Sequence, residues 1–162
     1  MIKTSQSNHK KNYFWLAVFC DGGARGNPGP AATGFLIKDK SGKVLVSQGK
    51  YIGKATNNIA EYQAVFQALD WIKDNIWRLK QDKLSINFYL DSLLVVNQLK
   101  GVFKIKNLKL KQLVLQIKSL ENKIKNKIDA LFFYHSIPRA KNFQADKLLN
   151  QALDQVKENN LF

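Results

Sequence analysis

The chain of 162 residues has a single cysteine, so no disulfide framework can staple it. Acids are scarce: 12 Asp and Glu stand against 26 Lys and Arg, which leaves a formal net charge of +14. Proline is confined to Pro28, Pro30 and Pro138, so long stretches are free to form regular structure. No apolar run approaches the roughly 20 residues of a membrane span. At 45% hydrophobic residues the chain is too apolar for disorder. A chain of this length buries roughly two thirds of its unfolded surface, enough for one core without staples. These exclusions leave a soluble, cytoplasmic, globular protein as the expectation. The charge favours a polyanionic partner, nucleic acid or an anionic membrane surface, and speaks to association rather than fold.

Residues 1–12 are polar and basic, and Tyr13 to Cys20 are almost wholly apolar, a superficial likeness to a signal peptide. The run is short, rich in strand formers, lacks a small residue before Cys20, and enters Asp21-Gly22-Gly23 with no cleavage pattern. It reads as a buried strand behind a flexible basic tail (1–12), with a single domain over 13–158 and a C-terminal tail over 159–162. Cys20 fits that strand as a small buried hydrophobe. The Gly and Pro cluster Asp21 to Pro30 predicts a loop. Thr33 to Ile37 and Val44 to Tyr51 flank the polar turn Asp39-Lys40-Ser41-Gly42, so the first three strands are expected as an antiparallel meander.

Apolar residues at three- and four-residue steps (Ile59, Tyr62, Val65, Phe66, Leu69, Ile72) predict an amphipathic helix over 57–73. Leu84 to Leu90 reads as a strand ending at Asp91, Leu93 to Leu99 as a short helix stopped by Gly101, and Leu108 to Ile124 as a second long helix. Ile128 to His135 predicts the fifth strand, Ser136 to Lys141 a loop, and Asn142 to Lys157 the last helix. The order βββαβααβα is that of an α/β fold: a five-stranded mixed sheet with helices packed on it.

Four carboxylates stand where neither a core nor a solvated face explains them. Asp21 ends the first strand, Glu61 lies one turn into the first long helix, Asp91 ends the fourth strand, and Asp146 lies early in the last helix. A carboxylate just beyond an apolar strand points into the crevice at the strand's end, where sites collect. The other eight acids, Glu121 and Asp154 among them, read as surface charge. Gathered together, the four would need a positive partner. With oxygen ligands, one Cys and only two His, Mg²⁺ or Mn²⁺ suits the inventory better than zinc. Two such ions roughly 3.5 to 4 Å apart can activate water and stabilise the leaving oxygen of an in-line phosphoryl displacement.

These residues carry a resemblance. Asp21-Gly22-Gly23-Ala24-Arg25-Gly26-Asn27-Pro28-Gly29-Pro30-Ala31, Thr56-Asn57-Asn58 followed by Glu61, Asp91-Ser92, and Asp146 after a Pro-Arg and Asn loop resemble, in order, the motifs of type 1 ribonuclease H. The likeness runs from about Tyr13 to Leu153. It implies the ribonuclease H-like fold and an endonuclease that cuts the RNA strand of an RNA/DNA hybrid without strong sequence specificity, leaving a 3′ hydroxyl and a 5′ phosphate. By the same resemblance Asp21, Glu61, Asp91 and Asp146 are the catalytic, metal-binding carboxylates for two Mg²⁺ or Mn²⁺ ions. Gly22, Gly23, Ala24, Arg25, Gly26, Asn27, Asn57 and Asn58 match substrate-contacting positions. Amides and exposed backbone can donate to and accept from a 2′ hydroxyl. Thr56-Asn57-Asn58 is also a good helix start, and the two readings are compatible.

The departures are informative. Leu93 stands where the family often has an RNA-contacting Gln, and the family's loop histidine is replaced: an ungapped match puts Ser136 there, with His135 beside it and Arg139 three residues on. His135 and Arg139 are therefore the candidates for proton transfer, phosphate contact or product release, with Arg139 suited to anchoring phosphate and unsuited to acting as a base. From Lys100 to Lys127 there are nine lysines and one acid. The chain resembles the relatives that lack an inserted basic helix and loop here. Lys104, Lys106 and Lys109 are candidate contacts to DNA-strand phosphates. The expected partner is an RNA/DNA hybrid, with no membrane, no obligate protein partner and a monomeric state. The alternatives are a non-catalytic nucleic-acid-binding module of the same fold and, less suited because no phosphate-loop motif or second lobe is present, a nucleotide-dependent phosphotransferase.

Overall fold

The computed structural model describes residues 12–159. All but Asn12 of the expected basic tail and all but Asn159 of the expected C-terminal tail lie outside the described residues. Three long strands, β1 (Phe14–Ala24), β2 (Gly29–Asp39) and β3 (Val44–Ala55), form an antiparallel meander. Helix α1 (Asn57–Asn75) and a single 3₁₀ turn lead to β4 (Lys83–Leu90), which lies parallel to β1. Then come α2 (Leu93–Leu99), α3 (Leu108–Lys125), β5 (Asp129–Ser136), parallel to β4, and α4 (Phe143–Asn159). The sheet order is β3-β2-β1-β4-β5, the five-stranded mixed sheet expected from the element order.

Alternation along the strands sorts the faces. Leu16, Val18 and Cys20 of β1 and Ile86, Phe88 and Leu90 of β4 are buried against Tyr62, Val65, Leu69 and Ile72 of α1 and against Ile117 of α3. On the opposite face α4 covers β1, β2 and β3, with Leu149, Ala152 and Leu153 packed at Ala32. Three helix starts carry their own caps: Thr56 Oγ1 accepts from Ile59 N (3.3 Å), Ser92 Oγ from Val95 N (3.3 Å), and Asn107 Oδ1 from Leu110 N (3.1 Å). The path from α2 to α3, Lys100–Asn107, carries no inserted helix. No described helix is long and apolar enough to cross a membrane.

Two expectations are corrected. The segment Asp21–Pro30 is not a loop throughout: β1 continues to Ala24 and β2 begins at Gly29, with Asp21 paired to Gly34 and Ala24 to Ala31. Its glycines serve close approach as much as turning. A Cβ on Gly22 would lie 2.1 Å from the carbonyl carbon of Ala60, and one on Gly34 would lie 2.1 Å from the carbonyl oxygen of Ala145. Asp21 accordingly sits within β1, three residues before its end. Glu121, expected on the surface, is 5% exposed, because Lys118 (Nζ to Oε2 3.0 Å) and the Tyr134 hydroxyl both donate to it.

Candidate active site

The C-terminal part of β1 and the segment after β4 converge on the first turns of α1. Asp21 comes from β1, Glu61 from α1, and Asp91 from the link between β4 and the Ser92 cap of α2. One carboxylate oxygen from each lies within 4.8 Å of the other two. Gly22 makes this meeting possible, since its missing side chain lets the backbone of Ala60 and Glu61 rest on β1. Asp146, on the first turns of α4, lines the same cleft of about 340 Å³ but stands outside the trio. Its position depends on Asn142, which is fully buried: Asn142 Nδ2 donates to the carbonyl of Cys20 (2.8 Å), and its own carbonyl accepts from Asp146 N (3.1 Å). Nothing near Asn142 in sequence signals this role, because its partner lies 122 residues away.

The electrostatics of the trio are unfavourable as they stand. Burial pushes the Asp21 carboxyl up to about 7, with the charge of Asp91 adding to it and the Gly22 N–H (2.8 Å) working against it. Glu61 is pushed up to about 8, again chiefly by burial and then by Asp21 and Asp91. Glu61 Oε2 is buried with no hydrogen-bond partner. The Ser92 side chain lies close enough to lower the Glu61 carboxyl slightly, but it leaves Oε2 unpartnered, and a buried acceptor of this kind beside two more carboxylates fits a hard divalent cation.

The glycine turn and the start of α1 are tied together. Asn57 Oδ1 accepts from Ala24 N (2.8 Å), and Asn57 N donates to Asn27 Oδ1 (3.1 Å). Gly22, Gly23, Ala24, Arg25 and Asn57 line the cleft, whereas Gly26, Asn27 and Asn58 do not. Arg25 Nη2 donates to Asp154 of α4 (2.6 Å), a rim contact that sequence reading missed because Asp154 has no motif around it. Of the two loop candidates, Arg139 lines the cleft and reaches Asp146 loosely (3.5 Å, with the guanidinium 80% exposed). His135 does not line it. Its ring stacks on Tyr89, and its Nε2 lies 3.3 Å from Asn87 Oδ1, on the same sheet face as Asp21 but two strands away, on the edge strand β5. Lys104, Lys106 and Lys109 are exposed on the link to α3 and on its first turn.

The comparisons with known proteins agree with this geometry. The sequence profile of the family described as reverse transcriptase-like matches residues 19–152. The bifunctional protein Rv2228c of Mycobacterium tuberculosis is 33% identical over 144 residues, covering 88% of this chain and 36% of its own. Ribonuclease HI of Halobacterium salinarum is 36% identical over 86% of this chain and 64% of its own. The chain thus spans about a third of the length of the mycobacterial protein and less than two thirds of the halobacterial one. Among solved structures, LC11-RNase H1 from compost superposes with a TM-score of 0.78 at 37% identity, covering 87% of this chain and 96% of the other. LC11-RNase H1 has also been solved in complex with an RNA/DNA hybrid (TM-score 0.73, 36% identity, 87% of this chain and 98% of that one). By profile, by identity and by superposition over nearly its whole described length, the chain belongs to the reverse transcriptase-like family and, within it, to the type 1 ribonucleases H.

Proposed function

We propose that the chain is an endoribonuclease that hydrolyses the RNA strand of RNA/DNA hybrids without strong sequence preference, leaving a 3′ hydroxyl and a 5′ phosphate. The observation that carries this reading is the trio itself: three carboxylates from three separate elements within 4.8 Å, one of them with a buried, partnerless oxygen. The hybrid seen bound to LC11-RNase H1 supports the substrate class. Asp21, Glu61 and Asp91 would hold the divalent cations, Mg²⁺ or Mn²⁺, with Asp146 lining the same cleft beside them. A pair of such ions supplies activation of the attacking water and stabilisation of the leaving oxygen.

The chain's own groups do the rest. The backbone from Gly22 to Ala24 and the Asn57 side chain present polar groups to the cleft, and the mutual bonds of Asn27, Asn57 and Ala24 hold those groups in place before substrate arrives. Asn27 and Asn57 use their carbonyl oxygens within the protein, which leaves their amide NH₂ groups to donate to ribose hydroxyls. Arg139 offers phosphate a mobile, permanently charged anchor, and Lys104, Lys106 and Lys109 offer the DNA strand a salt-sensitive one. Leu93, 60% exposed beside Asp91, presents an apolar chain where a hydrogen-bonding residue would read RNA.

The test is a gel with labelled RNA/DNA hybrid, RNA duplex and each single strand, in Mg²⁺, Mn²⁺ or EDTA. Cutting of the RNA strand in the hybrid, abolished by EDTA and leaving ends that a polymerase extends, is the expected result. Binding of the hybrid without cleavage in either metal would instead make the chain a binding module.

The raised carboxyls predict a pH signature of metal binding. For an acid whose folded value lies above its unfolded value, stability is full below the unfolded value near 4 and is lost as pH climbs toward the folded value. Asp21 (about 7) and Glu61 (about 8) put that loss between pH 4 and 8 in the metal-free protein. Cation binding requires both charged and removes the penalty. The rise in melting temperature caused by Mn²⁺ should therefore be larger at pH 8 than at pH 6, and calorimetry in buffers of different ionisation enthalpy should show protons released on binding at pH 6.5. A metal-induced shift that is equal at both pH values would contradict the coupling.

A further inference from the structure

The sheet face that carries Asp21 and Asp91 continues away from the cleft as an uncovered aromatic surface. The register aligns Phe19 of β1 with Tyr89 of β4, and Tyr89 with His135 of β5. Their rings form a continuous stack across three strands, with centroids 5.1 Å apart at each step and interplanar angles of 23° and 22°. Trp15 lies against Tyr89 and Phe133 against His135, each at 6.5 Å. Helix α4 shields β1, β2 and β3, and among the described residues no helix packs over β4 and β5 on this side. Phe133 is 43% exposed and Leu131 40%. The stack ends on β5, the edge strand, where no sixth strand continues it among the described residues.

The charges around this surface favour an anion. Lys38 Nζ sits 5.6 Å from the Phe19 ring centroid at one end. At the other end Lys100 and Lys125 join Phe133 and His135 in lining a cavity of about 500 Å³ along the edge of β5. Of the nearby acids, Glu121 is paired with Lys118 and also accepts from Tyr134, while Asp82 and Asp129, the latter accepting from the Tyr13 hydroxyl (2.9 Å), lie at the starts of β4 and β5, the opposite end of these strands from Tyr89 and His135. Lys38 Nζ donates to Gln144 Oε1 (2.7 Å), and Lys38, Lys100 and Lys125 are in no ion pair among the described residues. Aromatic rings flanked by lysines that no acid neutralises are the elements with which proteins hold unpaired nucleic acid: bases stack on rings of any sequence, and cations follow the phosphates. An apolar peptide would use the rings but leave the lysines without partners. Phe19 and Tyr89 also stand only two residues, about 7 Å, before Asp21 and Asp91 on the same face, so the two surfaces are continuous.

We propose that this face is a second nucleic-acid surface that binds single-stranded RNA or DNA, with bases extending the ring stack at Phe133 and His135 and phosphates meeting Lys38, Lys100 and Lys125. It is separate from the carboxylate cleft and needs no metal. The experiment uses the full chain in EDTA with a fluorescent uridine or thymidine oligonucleotide, followed by anisotropy, and a 5-bromouracil version of the same strand for photo-crosslinking and peptide mapping. Phe133→Ala should weaken oligonucleotide binding about fivefold or more, the scale of one lost base–aromatic stack, and Lys100→Gln should flatten its salt dependence. Cleavage of a blunt hybrid in Mg²⁺ should be unchanged in both variants. Crosslinks should fall within residues 84–90 and 129–136. Crosslinks confined to residues 22–27 and 104–109, or oligonucleotide affinity unchanged in a folded Phe133→Ala protein, would overturn the proposal and leave the hybrid reading untouched. Should Phe133→Ala fail to fold, the crosslink map on the unaltered chain decides alone.

Discussion

Asp21→Asn should abolish cleavage of the hybrid while making the protein more stable. Asn keeps the shape of the side chain and an oxygen to accept from Gly22 N, so the fold loses nothing. What is removed is a buried charge facing two others, whose burial and neighbours hold its carboxyl up to about 7. Changes in residues that only support a metal ligand cost roughly 10- to 100-fold in affinity or activity, so loss of a direct ligand should exceed that. The stability gain should depend on pH in a stated direction. Below pH 6 Asp21 is largely protonated and Asn replaces it nearly evenly, whereas at pH 8 Asn relieves a charge, and the variant's melting temperature should exceed that of the unaltered protein. Asp82→Asn, an exposed acid far from the cleft, is the control and should stay within about 0.5 kcal/mol at either pH. Retained cleavage in a folded Asp21→Asn protein would remove the trio from the chemistry, whatever its resemblance to other nucleases.

How much of this was legible beforehand varies with the range of the interaction. Elements with local signals were readable: the three- and four-residue apolar steps of α1 and α3, the Asp39 to Gly42 turn, and the helix start at Thr56 are written within a few residues of where they act. The four acids stood out because acids are rare in this chain and two of them follow apolar runs. What could not be read were facts fixed by pairing between distant strands. Gly22 and Gly23 look like turn residues until the helix pressed on Gly22 is known. Asn142 looks like any loop Asn until its 2.8 Å bond to Cys20 ties α4 to β1. Glu121 looks solvated until Tyr134 arrives from another element. His135 was a fair candidate by its place in the chain, but on β5 it shares parity with Phe133 and register with Tyr89, which turns it onto the aromatic face, while Arg139 on the following loop reaches the cleft.

Pairing between distant elements makes two adjacent glycines unequal. A Cβ on Gly22 would lie 2.1 Å from the carbonyl carbon of Ala60, 2.2 Å from Glu61 N and 2.3 Å from the Ala60 carbonyl oxygen, all backbone atoms of α1. None of them can rotate away, so the helix itself must lift from β1 by more than an ångström. A Cβ on Gly23 would meet only the Leu149 side chain, at 3.4 Å. Overpacking usually costs 1–3 kcal/mol, and a clash with backbone belongs at or beyond the upper end, so Gly22→Ala should lose about 3 kcal/mol or more. For a domain of this size that corresponds to a fall of roughly 6–12 °C in melting temperature, whereas Gly23→Ala should change little. Activity should fall further than stability explains. Lifting α1 carries Glu61 away from Asp21 and Asp91, and a misplacement of about 1 Å in a reacting constellation can cost on the order of 10²-fold. Measured at a temperature where the Gly22→Ala protein is still folded, hybrid cleavage should be down by about that factor, and metal should no longer raise the melting temperature as it does in the unaltered protein. A Gly22→Ala protein that matches Gly23→Ala in both stability and turnover would mean that α1 does not rest on β1 at this point, and with that contact would go the reason these three carboxylates meet.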